Sequence, residues 1–220
     1  KRLRPIAAGE LTPRTAQGTA ALLFCAGLAL GGALGWRVLG IVAAYTLLML
    51  GYSYVLKELV IVDVLTVALG FVLRAMAGAV AIDVKISPWL YLCTILGALF
   101  LAVNKRRHEL LILGEGAVDH RRILSEYSTQ LLDQMSATVT ACTVLAYSLY
   151  TFTADNLPAN HVMMATIPFV IYGIFRYLYL VYRRDEGGSP DELVVRDKPL
   201  LACMALFLMT AMALLAIFRG

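Results

Sequence analysis

Seven apolar stretches dominate this chain: residues 15–36, 38–55, 61–82, 87–104, 132–153, 160–181 and 199–218. Each approaches or exceeds the roughly 20 helical residues that cross the hydrocarbon of a bilayer. Backbone N–H and C=O groups in lipid have no water to bond, so runs of this length must satisfy them internally, as α-helices. A membrane barrel would instead show ten-residue segments of alternating polarity, and the sequence has no such pattern. The fold class expected is therefore an all-α integral membrane protein, with residues 1–220 as a single transmembrane helical domain. Composition agrees: 60% of residues are hydrophobic and 15% charged, which excludes a soluble domain and a disordered tail. The net charge of +4 is too mild to indicate a nucleic-acid partner.

The position of the charges says more than their sum. If the loops alternate sides, one side holds residues 1–14, 56–60, 105–131 and 182–198. That side collects fourteen cations, from Lys1, Arg2, Arg4 and Arg14 through Lys57 and Lys105–Arg107 to Arg196 and Lys198; the other holds Arg37, Lys85 and Arg219. The excess of Lys and Arg makes the first side cytoplasmic. It also carries both long polar loops, 105–131 and 182–198, so chemistry is expected on the cytoplasmic face of a plasma (inner) membrane protein. Cys25, Cys93, Cys142 and Cys203 lack Cys-x-x-Cys spacing and read as small buried hydrophobes. The chain opens at Lys1 with neither initiator Met nor leader pattern, and is expected to be the remainder of a longer protein.

Four clusters carry the candidate chemistry. Asn104-Lys105-Arg106-Arg107-His108-Glu109 follows the fourth span, with Arg121 and Arg122 further on. Guanidinium forks match phosphate oxygens bidentately, so three consecutive cations suit a phosphate clamp; the plainer reading is a stop-transfer cluster beside anionic headgroups. Tyr52-Ser53-Tyr54-Val55-Leu56-Lys57, with Asp63 beyond it, places a lysine at the cytoplasmic mouth, or else forms an interfacial aromatic belt with a snorkelling lysine. Arg74 lies about 16 Å along the helix from Asp63 at 1.5 Å per residue. A charge at such depth costs at least about 2.5–3.5 kcal/mol, so it requires either a structural acid or an anion brought into the membrane, such as a lipid phosphate. Arg183–Glu192 and Arg196–Pro199 read as a flexible turn followed by a capped helix start. No Gly-x-Ser-x-Gly, His-Glu-x-x-His or Walker A pattern occurs.

Arg4-Pro5-Ile6-Ala7-Ala8-Gly9-Glu10-Leu11-Thr12 resembles the stretch that opens the third helix of the UbiA superfamily of intramembrane prenyltransferases. Tyr52-Ser53 with Leu56-Lys57 resembles that superfamily's tyrosine–lysine signature. The resemblance implies that the seven spans are helices three to nine of a nine-helix bundle, with the first Asp-rich motif lying before Lys1. The superfamily's second motif is acidic. Here Lys105-Arg106-Arg107-His108-Glu109 stands in its place. That replacement, with Gly70–Ala75 and Glu186–Leu193, resembles the branch that moves a 5-phosphoribosyl group from phosphoribosyl diphosphate to a polyprenyl (decaprenyl) phosphate, releasing diphosphate, in the synthesis of cell-wall arabinan precursors.

What the resemblance implies is a Mg²⁺-dependent glycosyltransferase. Its substrate-binding residues would be Lys57, Arg74, Lys105, Arg106, Arg107, Glu109, Tyr52 and Arg4, with no metal ligand or catalytic residue assigned in this chain. Lys57 and the basic triplet would hold donor phosphates, and Arg74 the acceptor phosphate. Two other readings stay open: a UbiA-type enzyme joining a prenyl diphosphate to an aromatic acceptor, and a membrane transporter or scaffold. Helix faces rich in Gly and Ala leave homo-oligomeric packing open as well.

Overall fold

The computed structural model describes residues 9, 11–84, 87–113, 122–155, 157–158, 160–184, 188 and 190–218. Among the described residues all regular secondary structure is helical, with no strand. Its helices are α1 (Pro13–Ala33), α2 (Trp36–Tyr54), α3 (Val62–Ala81), α4 (Pro88–Leu113), α5 (Thr129–Thr153), α6 (Ile167–Arg183), α7 (Pro190–Arg196) and α8 (Lys198–Phe218). Short 3-10 turns occupy Leu56–Glu58, Arg122–Glu126 and Val162–Thr166. Among the described residues, six segments are long and apolar enough to cross a membrane: α1, α2, α3, α5, Val162–Arg183 and α8. The remaining expected run, 87–104, lies inside α4 from Pro88 onward, and that helix is 26 residues long. The chain is thus a multi-pass membrane protein.

The helix ends follow local chemistry. Thr12 caps α1, its Oγ1 accepting from the N–H of Thr15 at 3.3 Å, and Pro13 fills the first helical position, where no N–H is needed. The Ser87 hydroxyl accepts from the N–H of Trp89 ahead of α4, and Ser128 caps α5 by accepting from Leu131 at 3.1 Å. Asp197 caps α8 by accepting from Leu200 at 2.9 Å, the helix start expected from Arg196–Pro199.

Two differences from the sequence reading bear on function. The polar segment 105–131 does not begin as a loop: α4 continues through the basic cluster to Leu113, so Lys105–Glu109 are fixed on a helix. Cys25 and Cys142 are exposed rather than buried, because their helices turn those faces outward, whereas Cys203 is buried.

Packing divides the chain into two compact units, Lys1–Met49 with Leu73–Lys85, and Leu50–Val72 with Ile86–Gly220. In the first, α1 and the start of α2 form a helical hairpin through Leu34 and Gly35. Gly35 has φ +122°, a conformation that favours glycine. Gly31 lies so close to Val42 and Leu39 that an added Cβ would sit 3.4 Å from the Val42 side chain. In the second unit α4 packs along α5, and α6 packs on α8. Phe100, Tyr177, Leu180, Val181, Leu193 and Leu200 form one core cluster there. Val103, Ile123, Tyr127 and Leu132 form another, directly beneath the basic end of α4.

Candidate functional site

Consecutive residues on an α-helix point about 100° apart, so the cations of α4 must serve different neighbours. Lys105 faces outward and is exposed. Arg106 is buried, at 5% exposure, and turns toward the start of α3. Its Nε donates to Asp63 Oδ2 at 2.7 Å, its Nη1 to Glu109 Oε2 at 2.6 Å and its Nη2 to Tyr52 Oη at 3.3 Å. Asp63 has no exposed surface. Its second oxygen accepts from the Tyr127 hydroxyl at 2.8 Å, and that hydroxyl in turn accepts from the backbone N–H of Ile61 at 2.7 Å. One buried network thus joins the end of α2, the start of α3, the end of α4 and the segment before α5.

The electrostatics are consistent with this closure. Burial works against the Arg106 charge, but Glu109 and Asp63 outweigh it and hold the guanidinium protonated. Burial, together with donation to Asp63, pushes the Tyr127 hydroxyl well above its ordinary range, so it remains a donor. Ile61, whose N–H the network holds, has φ +68°. A β-branched residue in that region is strained by about 1–2 kcal/mol. Such strain persists only where the surroundings over-determine it, and here it sits between Lys57 and Asp63.

Arg107 points to the other side, toward α5 and α6. Its Nε donates to Asp133 Oδ1 at 2.6 Å, and its guanidinium lies 3.9 Å from the centre of the Tyr182 ring. The Tyr182 hydroxyl donates to the same Asp133 oxygen at 2.9 Å. One helical turn earlier, Asn104 is fully buried, donating to the Phe100 carbonyl and accepting from Ser136. Gly188 lies against His108: a Cβ added there would meet the imidazole Nε2 at 2.5 Å. Gly188 therefore packs on the basic end of α4, and a side chain there would have to displace the His108 ring.

The other sequence candidates lie as follows. Lys57 is half-buried on the 3-10 turn Leu56–Glu58. Arg74 is exposed on the first unit's part of α3. It donates to the Tyr45 hydroxyl at 3.3 Å and lies 5.4 Å from that ring's centre. Arg4 falls outside the described residues, as does Arg121. Asp133, Tyr127 and Tyr182 are site residues that sequence reasoning did not assign.

The acids near the cluster do not form a metal site. Among the described residues no three His, Cys, Asp or Glu side chains converge, and Asp63, Glu109 and Asp133 each accept from an arginine. A protein-held Mg²⁺ ion needs several oxygen ligands brought to one point, and no such convergence occurs among the described residues, so the described donor set does not fit one.

Three relatives named decaprenyl-phosphate phosphoribosyltransferase align with 91% of this chain. The protein from Corynebacterium glutamicum is 35% identical over 207 residues, that from Mycolicibacterium smegmatis 32% over 213, and that from Mycobacterium tuberculosis 31% over 202. Residues 1–109 match the model of the UbiA prenyltransferase family. Residues 1–109 are a UbiA-family domain. The match runs from the N-terminal segment through the basic cluster, so Tyr52, Lys57, Asp63, Arg74 and Lys105–Glu109 all lie within it. The chain spans 61%, 65% and 66% of the length of these three relatives.

Proposed function

We propose that this chain, with its UbiA-family domain, serves a transferase that moves a 5-phosphoribosyl group from phosphoribosyl diphosphate to decaprenyl phosphate. The observation that carries the reading is the 31–35% identity to relatives with that named activity along nearly the whole chain. The basic end of α4 supports it, because the donor bears both a diphosphate and a 5-phosphate, and the acceptor bears a third phosphate.

In the proposed reaction an oxygen of the lipid phosphate attacks the anomeric carbon of the ribose. The bond from that carbon to the diphosphate oxygen breaks, and diphosphate leaves with the electron pair. The attacking oxygen is already anionic, so no strong general base is required. Cations preset around the departing diphosphate stabilise the charge that develops on it. Lys57, Lys105 and Arg107 are the side chains proposed to hold donor phosphates. Arg106, with Tyr52 and Glu109, is proposed to fix the end of α4 beneath them, and Arg74 to meet the acceptor phosphate. Mg²⁺ is proposed as the metal that the family resemblance implies; when bound it would neutralise charge on the diphosphate, and none of the described residues is assigned to hold it. The active face is proposed to be the cytoplasmic face of the plasma membrane.

The test is transfer of label from phosphoribosyl diphosphate into the lipid phase by the intact protein in detergent with Mg²⁺ and decaprenyl phosphate. Label in the lipid phase is the expected result. Consumption of a prenyl diphosphate with an aromatic acceptor, and none of the phosphoribosyl donor, would overturn the reading.

A further inference from the structure

We propose that Arg107 is the guanidinium of the basic cluster that engages the donor's phosphate, and that Tyr182 and Asp133 are its positioning residues. The identity of the anion rests on the reading above; the geometry of the fork does not.

The argument begins with how the arginines are spent. Arg106 has all three nitrogens committed inside the protein, to Asp63, Glu109 and Tyr52. Redirecting it to a substrate would strand a fully buried carboxylate, which is strongly unfavourable. Arg107 is held differently. Asp133 takes only Nε, and Tyr182 covers one face of the guanidinium plane at 3.9 Å. Among the described residues, its two terminal nitrogens make no hydrogen bond. A carboxylate on Nε blocks the side-on approach to the fork. The end-on edge, two parallel N–H donors, remains for a planar pair of phosphate oxygens.

The device is preset. Tyr182 and Arg107 converge on the same Asp133 oxygen, which fixes the ring under the guanidinium and the guanidinium in plane. An arginine left loose would have to lose rotamer freedom when the anion arrives, and one already stacked and anchored does not. The side chain is only 12% exposed, so the surrounding dielectric is lower than at an open surface and a phosphate contact there is correspondingly strengthened. The three residues come from α4, α5 and α6, so this small cluster also pins the ends of three helices together.

The experiment measures KM for phosphoribosyl diphosphate and kcat separately, on the intact protein in detergent, for Arg107→Lys, Tyr182→Leu, Tyr182→Phe and Asp133→Asn. Tyr182→Leu removes the stacking face and is expected to raise KM about tenfold with kcat within about threefold. Tyr182→Phe keeps the ring and is expected to recover most of that loss. Arg107→Lys keeps the charge without the fork and is expected to behave like Tyr182→Leu or worse. A fall in kcat with unchanged KM in both Tyr182→Leu and Arg107→Lys would overturn the assignment.

If the wild-type protein transfers no label, the functional reading fails, and the fork is tested alone by calorimetric titration with inorganic diphosphate. Binding weakened about tenfold in Arg107→Lys and Tyr182→Leu, with melting temperatures near wild type, upholds the fork. Unchanged binding overturns it. Should Tyr182→Leu fail to fold, Asp133→Asn carries the same comparison, because it loosens Nε while leaving the ring in place.

Discussion

Asp63 and Arg106 lie 43 positions apart in the chain, yet they form a buried ion pair at 2.7 Å in which Asp63 has no exposed surface at all. Removing one partner of such a pair leaves an uncompensated charge and costs about 3–5 kcal/mol, whereas replacing both with apolar groups of similar size is often nearly neutral. Asp63→Ala is therefore expected to lower the denaturation midpoint steeply in detergent, and Asp63→Leu with Arg106→Met to recover most of the loss. The double variant also separates the roles of the arginines. If Arg106 only fixes the end of α4, KM for the phosphoribosyl donor stays within about threefold of wild type in the recovered protein. A donor KM raised a hundredfold would assign Arg106 to the substrate instead.

Tyr127 extends the same network, and the expected cost of deleting its hydroxyl is smaller. Tyr127→Phe leaves one oxygen of Asp63 and the N–H of Ile61 without their partner. A buried polar group deprived of its bond costs about 1–3 kcal/mol. Because Ile61 is already held at a positive φ, the turn that bears Lys57 should loosen too. Hydrogen exchange is the direct measurement: faster exchange of amides 58–63 in Tyr127→Phe than in wild type is expected, with α5 unchanged.

Much of this was readable before the structure, and the reason is physical. Length and hydropathy sufficed for the helices, because lipid permits few alternatives to a helix. Asp63 and Arg74 stood out as charges within an apolar run, and the basic triplet stood out by its contrast with everything around it. What could not be read was how the triplet is divided. The 100° step between Arg106 and Arg107 follows from helix geometry, but only once α4 is known to continue to Leu113; a polar composition there reads as loop. The partners were hidden for another reason. Tyr127 and Tyr182 are two among many tyrosines, and pairing across 64 and 75 positions with Asp63 and Arg107 leaves no local signature.

Gly188 tests its own contact with α4. A methyl group on its Cα would meet the His108 ring at 2.5 Å, so Gly188→Ala must displace either residue 188 or the imidazole. The expected result is a loss of transfer activity of about tenfold or more, with a denaturation midpoint close to wild type, since the group met is the end of a side chain that can rotate away rather than backbone. His108→Ala in the same background makes room for the methyl group. Partial recovery of activity in that double variant is the outcome that ties the loss to this contact.

Arg176 and Asp197 supply the pH prediction. The Arg176 Nε and Nη2 donate to the two oxygens of Asp197 at 3.0 and 2.8 Å, and Asp197 also caps α8. Donation from Arg176 is the main force holding the Asp197 carboxyl below its ordinary value of 3.8, with the Leu200 N–H adding to it against an opposing effect of burial. A carboxyl whose folded value is depressed contributes stability that is fully present above the unfolded value and is lost as pH falls through the folded one. The contribution is thus intact at neutral pH and declines only in a window that opens near 3.8 and extends below it. Asp197→Asn removes the titrating group while keeping an oxygen for the cap. Its melting temperature in detergent should lie below wild type at pH 7, and the gap should narrow as the pH is taken down through that window. A gap that stayed constant across the window would mean that Asp197 serves α8 as a cap alone, with no contribution from its charge.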